Sequence, residues 1–330
     1  MNPNTPKTEH PESRPAAERI AGGLIGLLVG DALGVPYEFT RPENIPPRHL
    51  IEMEPPAGFR RAHRDTPSGT WSDDGAQALC LLASLLACGR LDLDDFGRRL
   101  VNWLDQGYRA VDGRVFDVGI TSEHAIRRLR GGQHAVQCGG ADEQDNGNGA
   151  LMRTLPLALW HQGSDAELIE DARRASLPTH AHLRSQLCSA LYCLWARALL
   201  QEHNDAWSVA VATMRTHFQP GTPERTELED QILSFPTDQC SGRGYVVDSL
   251  HSARLALQQP DYEGAVRAAI ALGHDTDTTA CIVGGLAGIR AGFKGIPARW
   301  RRALRGQEVF QADLEALFNS TRAQPCPRSK

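Results

Sequence analysis

The chain has 330 residues, 41% of them hydrophobic, with 35 Lys plus Arg against 40 Asp plus Glu and a net charge of −5. That balance is the one expected of a soluble globular protein, and it excludes the basic footprint of a nucleic-acid binder. Arginines gather locally, at Arg127, Arg128 and Arg130 and at Arg299, Arg301 and Arg302, and read as solvated helix faces. Eight cysteines without a CxxC spacing read as reduced core residues of a cytoplasmic protein.

Residues 1–14 hold Pro3, Pro6 and Pro11 among polar residues and are expected to form a disordered arm; no apolar signal-peptide core is present in the first nineteen residues. From Pro15 a helix is predicted to about Leu33. Its apolar run, Ile20 to Val29, is shorter than the ~20 residues a bilayer requires, so the helix should be buried in protein and no membrane is expected. Gly22, Gly26, Gly30 and Gly34 recur every four residues. Such a ridge carries no side chains and admits another backbone, despite a helix penalty of about 1 kcal/mol per glycine. Asp31 and Glu38 fall near the C-terminal end of this helix, where the dipole disfavours carboxylates; a nearby cation would remove that conflict. Six prolines between residues 40 and 70 predict a long surface loop with at most one short helix.

The next stretch, Gly69-Thr70-Trp71-Ser72-Asp73-Asp74-Gly75, puts acids at the start of an apolar helix. Helical patterns then follow at about 74–88, 92–106, 120–130, 149–162, 164–176, 181–202, 205–217, 223–234, 246–258, 262–272, 277–292 and 309–318. Ser164 with Glu167 makes a capping box, and Thr222-Pro223 places proline at the first helical position. Alternating β-branched strands are missing, so the fold class is all-α, a many-helix bundle.

Between these helices lie two loops of interest. Residues 139–149 are glycine- and amide-rich and feed a helix at Ala150-Leu151-Met152-Arg153. Backbone N–H groups in such a place suit an anion such as a diphosphate, although a plain surface loop has the same composition. Pro178-Thr179-His180-Ala181-His182 reads as a cap or a buried hydrogen-bonding turn.

Late in the chain, Gly273-His274-Asp275-Thr276-Asp277-Thr278-Thr279 repeats the grammar of residues 69–75. One Asp or Thr would be an ordinary N-cap, but a cap needs a single side-chain oxygen. If the two helix starts face each other, Ser72, Asp73 and Asp74 meet Asp275, Asp277 and Thr278. Such a set of oxygens suits Mg²⁺, Ca²⁺ or Mn²⁺. Bare, the carboxylates would raise one another's pKa; two divalent cations ~4 Å apart would neutralise them. Joining the two stretches also requires one domain, here 15–320, with 321–330 as a disordered tail. The helix after Asp277 carries a second ridge, Gly284, Gly288 and Gly292, and the two ridged helices should pack in the middle of the bundle.

In combination these residues resemble the ADP-ribosylglycohydrolase family: Gly30-Asp31-Ala32-Leu33-Gly34 with Glu38, Ser72-Asp73-Asp74, Asn146-Gly147-Asn148-Gly149-Ala150-Leu151-Met152-Arg153, Thr179-His180 and Asp275-Thr276-Asp277-Thr278. The resemblance spans about residues 18–300. It implies an all-α fold, two Mg²⁺ or Mn²⁺ ions, and cleavage of ADP-ribose from modified protein side chains, commonly arginine. It makes Ser72, Asp73, Asp74, Asp275, Asp277 and Thr278 the metal ligands. Glu38, Asp73 and Asp117 become catalytic candidates, Asn146, Gly147, Asn148 and Gly149 cradle the diphosphate, and His180 lies near it. Ser72 stands where many members have threonine, and Gly75 where a threonine often follows the acids. Some bacterial members look like immunity proteins that reverse and block an ADP-ribosyltransferase toxin; here the N-terminal arm, with Arg14 and Arg19, would be the toxin contact. The alternative is a catalytically inactive binding or structural member of the same fold.

Overall fold

The computed structural model describes residues 15–322, so the N-terminal arm and residues 323–330 of the tail lie outside the described residues. Fourteen α-helices are described. They are α1 (Ala16–Gly34), α2 (Asp73–Cys88), α3 (Leu93–Gln106), α4 (Ile120–Arg130), α5 (Leu155–Trp160), α6 (Asp165–Ser176), α7 (Leu183–Leu200), α8 (Ala206–His217), α9 (Pro223–Glu227), α10 (Val246–Ala256), α11 (Tyr262–Ile270), α12 (Thr276–Ala291), α13 (Ala298–Ala303) and α14 (Gln307–Arg322). Among the described residues there is no β-strand, only isolated bridges pairing Gly140 with His180 and Gly147 with Tyr245.

The glycine ridges set the centre. A Cβ added to Gly22 would collide with the Gly288 carbonyl, one on Gly26 with that of Gly284, one on Gly30 with that of Ala280, and one on Gly34 with Asp277 Cα. α1 and α12 therefore run antiparallel with their backbones in contact, and the seam ends where Gly34 meets Asp277. Tyr262 closes its flank by donating from its hydroxyl to the Gly26 carbonyl at 2.7 Å. By length and composition the segment Ala16–Tyr37 qualifies to cross a bilayer. Its burial decides otherwise: every residue of α1 from Ile20 on is buried inside the bundle.

Three local expectations are corrected. The proline-rich loop holds two short 3-10 helices, Pro42–Asn44 and Arg48–Leu50; Pro42 opens one and Pro47 immediately precedes the other, each fixing the backbone for a turn. The helix expected from residue 149 begins only at Leu155, because Pro156 is tolerated in a first turn but not inside a helix. The helix expected over 223–234 is α-helical to Glu227 and a π-turn from Leu228 to Leu233, where buried His251 Nε2 meets the Ile232 carbonyl at 2.8 Å. α13 has no counterpart in the sequence reading. Arg19 of α1 is paired with Glu202 at 2.9 Å.

Candidate active site

Antiparallel packing brings the C-terminal end of α1 to the N-terminal end of α12, and the start of α2 completes the corner. Both carboxylate oxygens of buried Asp31 accept backbone N–H groups from that start, Ser72 at 2.8 Å and Gly75 at 2.7 Å. Free N–H groups at a helix start attract carboxylates, so α2 resolves the conflict that Asp31 has with the dipole of its own helix. Ser72 is the N-cap of α2 and donates to Asp74 Oδ2 at 2.9 Å; Thr278 of α12 donates to the same oxygen at 3.3 Å.

One oxygen each from Asp31, Asp74 and Asp277 lies within 4.8 Å of the others, and so do oxygens of Glu38, Asp275 and Asp277. Asp277 is common to both sets. Two buried oxygens here, Asp74 Oδ1 and Asp277 Oδ2, have no hydrogen-bond partner, although a buried polar atom normally finds one. Burial, followed by the neighbouring acids, pushes Asp73, Asp74 and Asp277 well above the usual carboxylate range. Burial raises Asp31 to about 7. It raises Glu38 to about 11, with Asp117, Asp275 and Asp74 adding repulsion. Orphaned oxygens, an oxygen-only donor set and mutual repulsion together fit a place for divalent cations.

The six expected ligands do not behave alike. Asp74, Asp275 and Asp277 enter the two triads, while Ser72 and Thr278 adjoin them through Asp74. Asp73 stands outside both, bonded to Gln77 Nε2 at 2.8 Å, but it lines the cleft. Glu38 meets His63 Nε2 at 2.5 Å, and Asp117 joins them in a third group. Sequence reasoning missed His63, which comes from the proline-rich loop. It noticed Asp31 but did not place it with the ligands.

From the acids a cleft of about 670 Å³ runs to the glycine- and amide-rich loop, with Gly147, Asn148, Gly149 and His180 among its lining residues. Asn148 ties the two ends together: its Nδ2 donates to Asp275 Oδ2 at 2.8 Å and to Ser249 Oγ at 3.0 Å. Asn146 does not line the cleft. Its side chain is engaged by Ser185 and the Glu143 carbonyl, each at 3.0 Å, and so holds the loop from behind.

Beneath the loop runs a buried chain. Asp73 accepts from Gln77, whose Oε1 accepts from Arg153 at 2.8 Å; Arg153 donates again to Thr179 Oγ1 at 2.6 Å, and Thr179 meets His180 Nδ1 at 2.8 Å. Arginine can only donate, so the Thr179 hydroxyl proton is left for Nδ1. Burial and then Arg153 push the His180 pKa down to about 3, and the neutral ring therefore carries its proton on Nε2. A Cβ on Gly147 would stand 3.3 Å from that nitrogen, and one on Gly149 would stand 2.8 Å from Cε1. Glycines thus let the loop close over the ring. Arg243 is the one Lys or Arg lining the cleft among the described residues, so amides, an imidazole N–H and a guanidinium share this end.

A family model described as ADP-ribosylglycohydrolase matches residues 12–326. Over 319 residues the chain is 31% identical to the ADP-ribosylarginine hydrolase Tri1 of Serratia proteamaculans (strain 568), covering 96% of this chain and 82% of that protein. Over 320 residues it is 28% identical to the ADP-ribosyl-(dinitrogen reductase) glycohydrolase of Rhodospirillum rubrum, covering 91% and 96%. A solved structure described as an ADP-ribosylglycohydrolase-related protein complex superposes with a TM-score of 0.74 at 30% identity, covering 93% of this chain and 99% of that one.

Proposed function

This chain belongs to the ADP-ribosylglycohydrolase family, and on that premise we propose that it is a divalent-cation-dependent hydrolase releasing ADP-ribose from modified arginine side chains. The observation that carries the reading is one cleft with an oxygen-only acidic end and an anion-binding end, joined by Asn148. ADP-ribose has matching parts, a ribose with hydroxyls and a diphosphate. The arginine linkage is supported by the similarity to Tri1.

In this reading Asp74, Asp275 and Asp277, with Ser72, Thr278 and Asp73 beside them, hold two Mg²⁺ or Mn²⁺ ions; when bound, these supply charge neutralisation and Lewis acidity. The N–H groups of the Gly147–Gly149 loop and His180 Nε2–H orient the diphosphate. Glu38 holds or moves a proton at Oε2, which faces His63, and Asp117 fixes that pair from the other side. Buried α1 and α12 close the acidic end from behind.

The test is incubation with proteins ADP-ribosylated on arginine, serine or acidic residues, with Mg²⁺ or Mn²⁺ and again with chelator. Release from arginine that stops on chelation is expected. No release from any linkage, with ADP-ribose still bound, would identify a non-catalytic binding member instead.

A further inference from the structure

Two side chains on the rim of the cleft have no part in the roles described so far. Phe39 is 71% exposed and Ile120 is 73% exposed, the two most exposed large apolar side chains among the described residues, and both line this cleft. An exposed apolar side chain placed singly on a surface is ordinary; two beside one acidic centre mark a contact site.

Phe39 is also held there at a cost. Its φ is +57°, left-handed backbone that a bulky residue rarely adopts. The conformation is pinned by two backbone hydrogen bonds of 2.7 Å each, Phe39 N–H to the His274 carbonyl and His274 N–H to the Thr40 carbonyl. His274, at φ +61°, immediately precedes Asp275. The ring is thereby fixed relative to the acids, although it fills no part of the core. Backbone strain kept at a cleft is a feature of functional positions.

Behind Phe39 the ring of His63 lies 5.8 Å away, and Phe116 lies 4.9 Å beyond that. The rings are tilted on one another by 50° and 54°, and the His63 edge meets Glu38 through Nε2, while Ile120 opens α4 three residues after Asp117. Arg243, the glycine loop and His180 line the same cleft, with Ser122 of α4 beside Gly149. A diphosphate belongs with those donors. The part of the cleft beside Glu38 and Asp117, where Phe39 and Ile120 add exposed apolar surface, suits a planar cation on an aliphatic stem, because guanidinium groups stack on aromatic rings and are attracted by nearby acids.

We infer that Phe39, backed by His63, receives the guanidinium of the ADP-ribosylated arginine, that Ile120 packs against its alkyl stem, and that these two residues set the preference for the leaving side chain. The inference rests on the proposed hydrolase activity. Both residues touch substrate without taking part in bond cleavage, so they are specificity residues.

The experiment compares the wild type with Phe39→Leu, Phe39→Tyr and Ile120→Ser, measuring kcat and KM on an ADP-ribosylarginyl peptide and the Kd of free ADP-ribose by calorimetry. Phe39→Leu should raise KM by about tenfold, the effect of losing one cation–π contact, with the ADP-ribose Kd within about twofold of wild type. Phe39→Tyr, which keeps the ring, should restore KM, and Ile120→Ser should raise it by a smaller factor. If Phe39→Leu weakens ADP-ribose as much as it raises KM, the ring receives the adenine and the inference falls. Wild-type KM in both Phe39→Leu and Ile120→Ser, or a Phe39→Tyr as poor as Phe39→Leu, overturns it as well. A wild type that hydrolyses no arginine linkage overturns the proposed function first, and this inference with it.

Discussion

The two ends of the cleft are built on opposite rules. At the acidic end, buried oxygens of Asp74 and Asp277 stand without partners and the carboxylates raise one another's pKa. At the loop end, Gln77, Thr179 and His180 Nδ1 are all bonded in a chain, and Arg153 leaves only Nε over. The first end is incomplete without added positive charge; the second is bonded throughout but for Arg153 Nε and carries no cluster of like charges. Chelation and substitution should therefore separate them.

The largest effect is expected at Asp277, which both carboxylate triads share. Asp277→Ala should lower hydrolysis by more than about a hundredfold, beyond what loss of a supporting residue around a metal costs, and should weaken Mn²⁺ binding in calorimetry. An unchanged rate would remove the basis for the acidic end as a metal centre. Chelation of the intact protein should lower its melting temperature, with roughly 3 kcal/mol restored by cation at a hundredfold excess over Kd. A melting temperature indifferent to both chelator and cation would show that the orphaned oxygens hold nothing.

The chelated protein should also reveal the acidic end through pH. Asp31 is raised to about 7 when folded, against roughly 3.9 for an unperturbed aspartate. The folded state thus keeps a proton that the unfolded state gives up, and the linkage sign makes stability fall as pH rises from about 4 to about 7. Urea titrations across that window should show the fall, and saturating Mg²⁺ should flatten it. A chelated protein that grew more stable over the same window would contradict the repulsion described here.

Smaller effects belong to the loop end. Thr179→Val removes the group between Arg153 and His180 and should destabilise by about 1–3 kcal/mol through the unsatisfied guanidinium. It should raise KM several-fold while leaving Mn²⁺ affinity at the wild-type value. If metal affinity fell with KM, the two ends would be one coupled unit.

Much of this was legible in the sequence, for reasons that differ by element. The glycine ridges of α1 and α12 announced their contact because a four-residue spacing lines one helix face. The acid stretches announced a shared corner because they exceed what capping requires. As neighbouring acids Asp73 and Asp74 look equal in the sequence and are not: consecutive residues on a helix point about 100° apart, so Asp74 turns to Asp277 while Asp73 turns to Gln77. Asn146 is indistinguishable in the sequence from its loop neighbours, because a residue that fixes a loop and one that lines a cleft have the same composition. His63 had no signal at all, since it sits in a proline-rich loop without periodicity and meets Glu38 only after the chain folds. Arg153 stood in a quoted motif, but its bonds to Gln77 and Thr179 span 76 and 26 residues and follow no local pattern.

The bare seam between α1 and α12 also governs how this molecule can change over generations. Where Gly22, Gly26 and Gly30 touch the partner helix, even one added methyl meets backbone, and backbone cannot swing aside as a side chain can. The spacing of the acids that the two helices carry is inherited with that seam, and a lineage cannot adjust it in small steps. At the rim, by contrast, the Phe39 and Ile120 side chains are 71% and 73% exposed and can be exchanged without meeting buried neighbours. New leaving groups are therefore expected to be acquired at the rim, under an acidic centre that descends nearly unaltered.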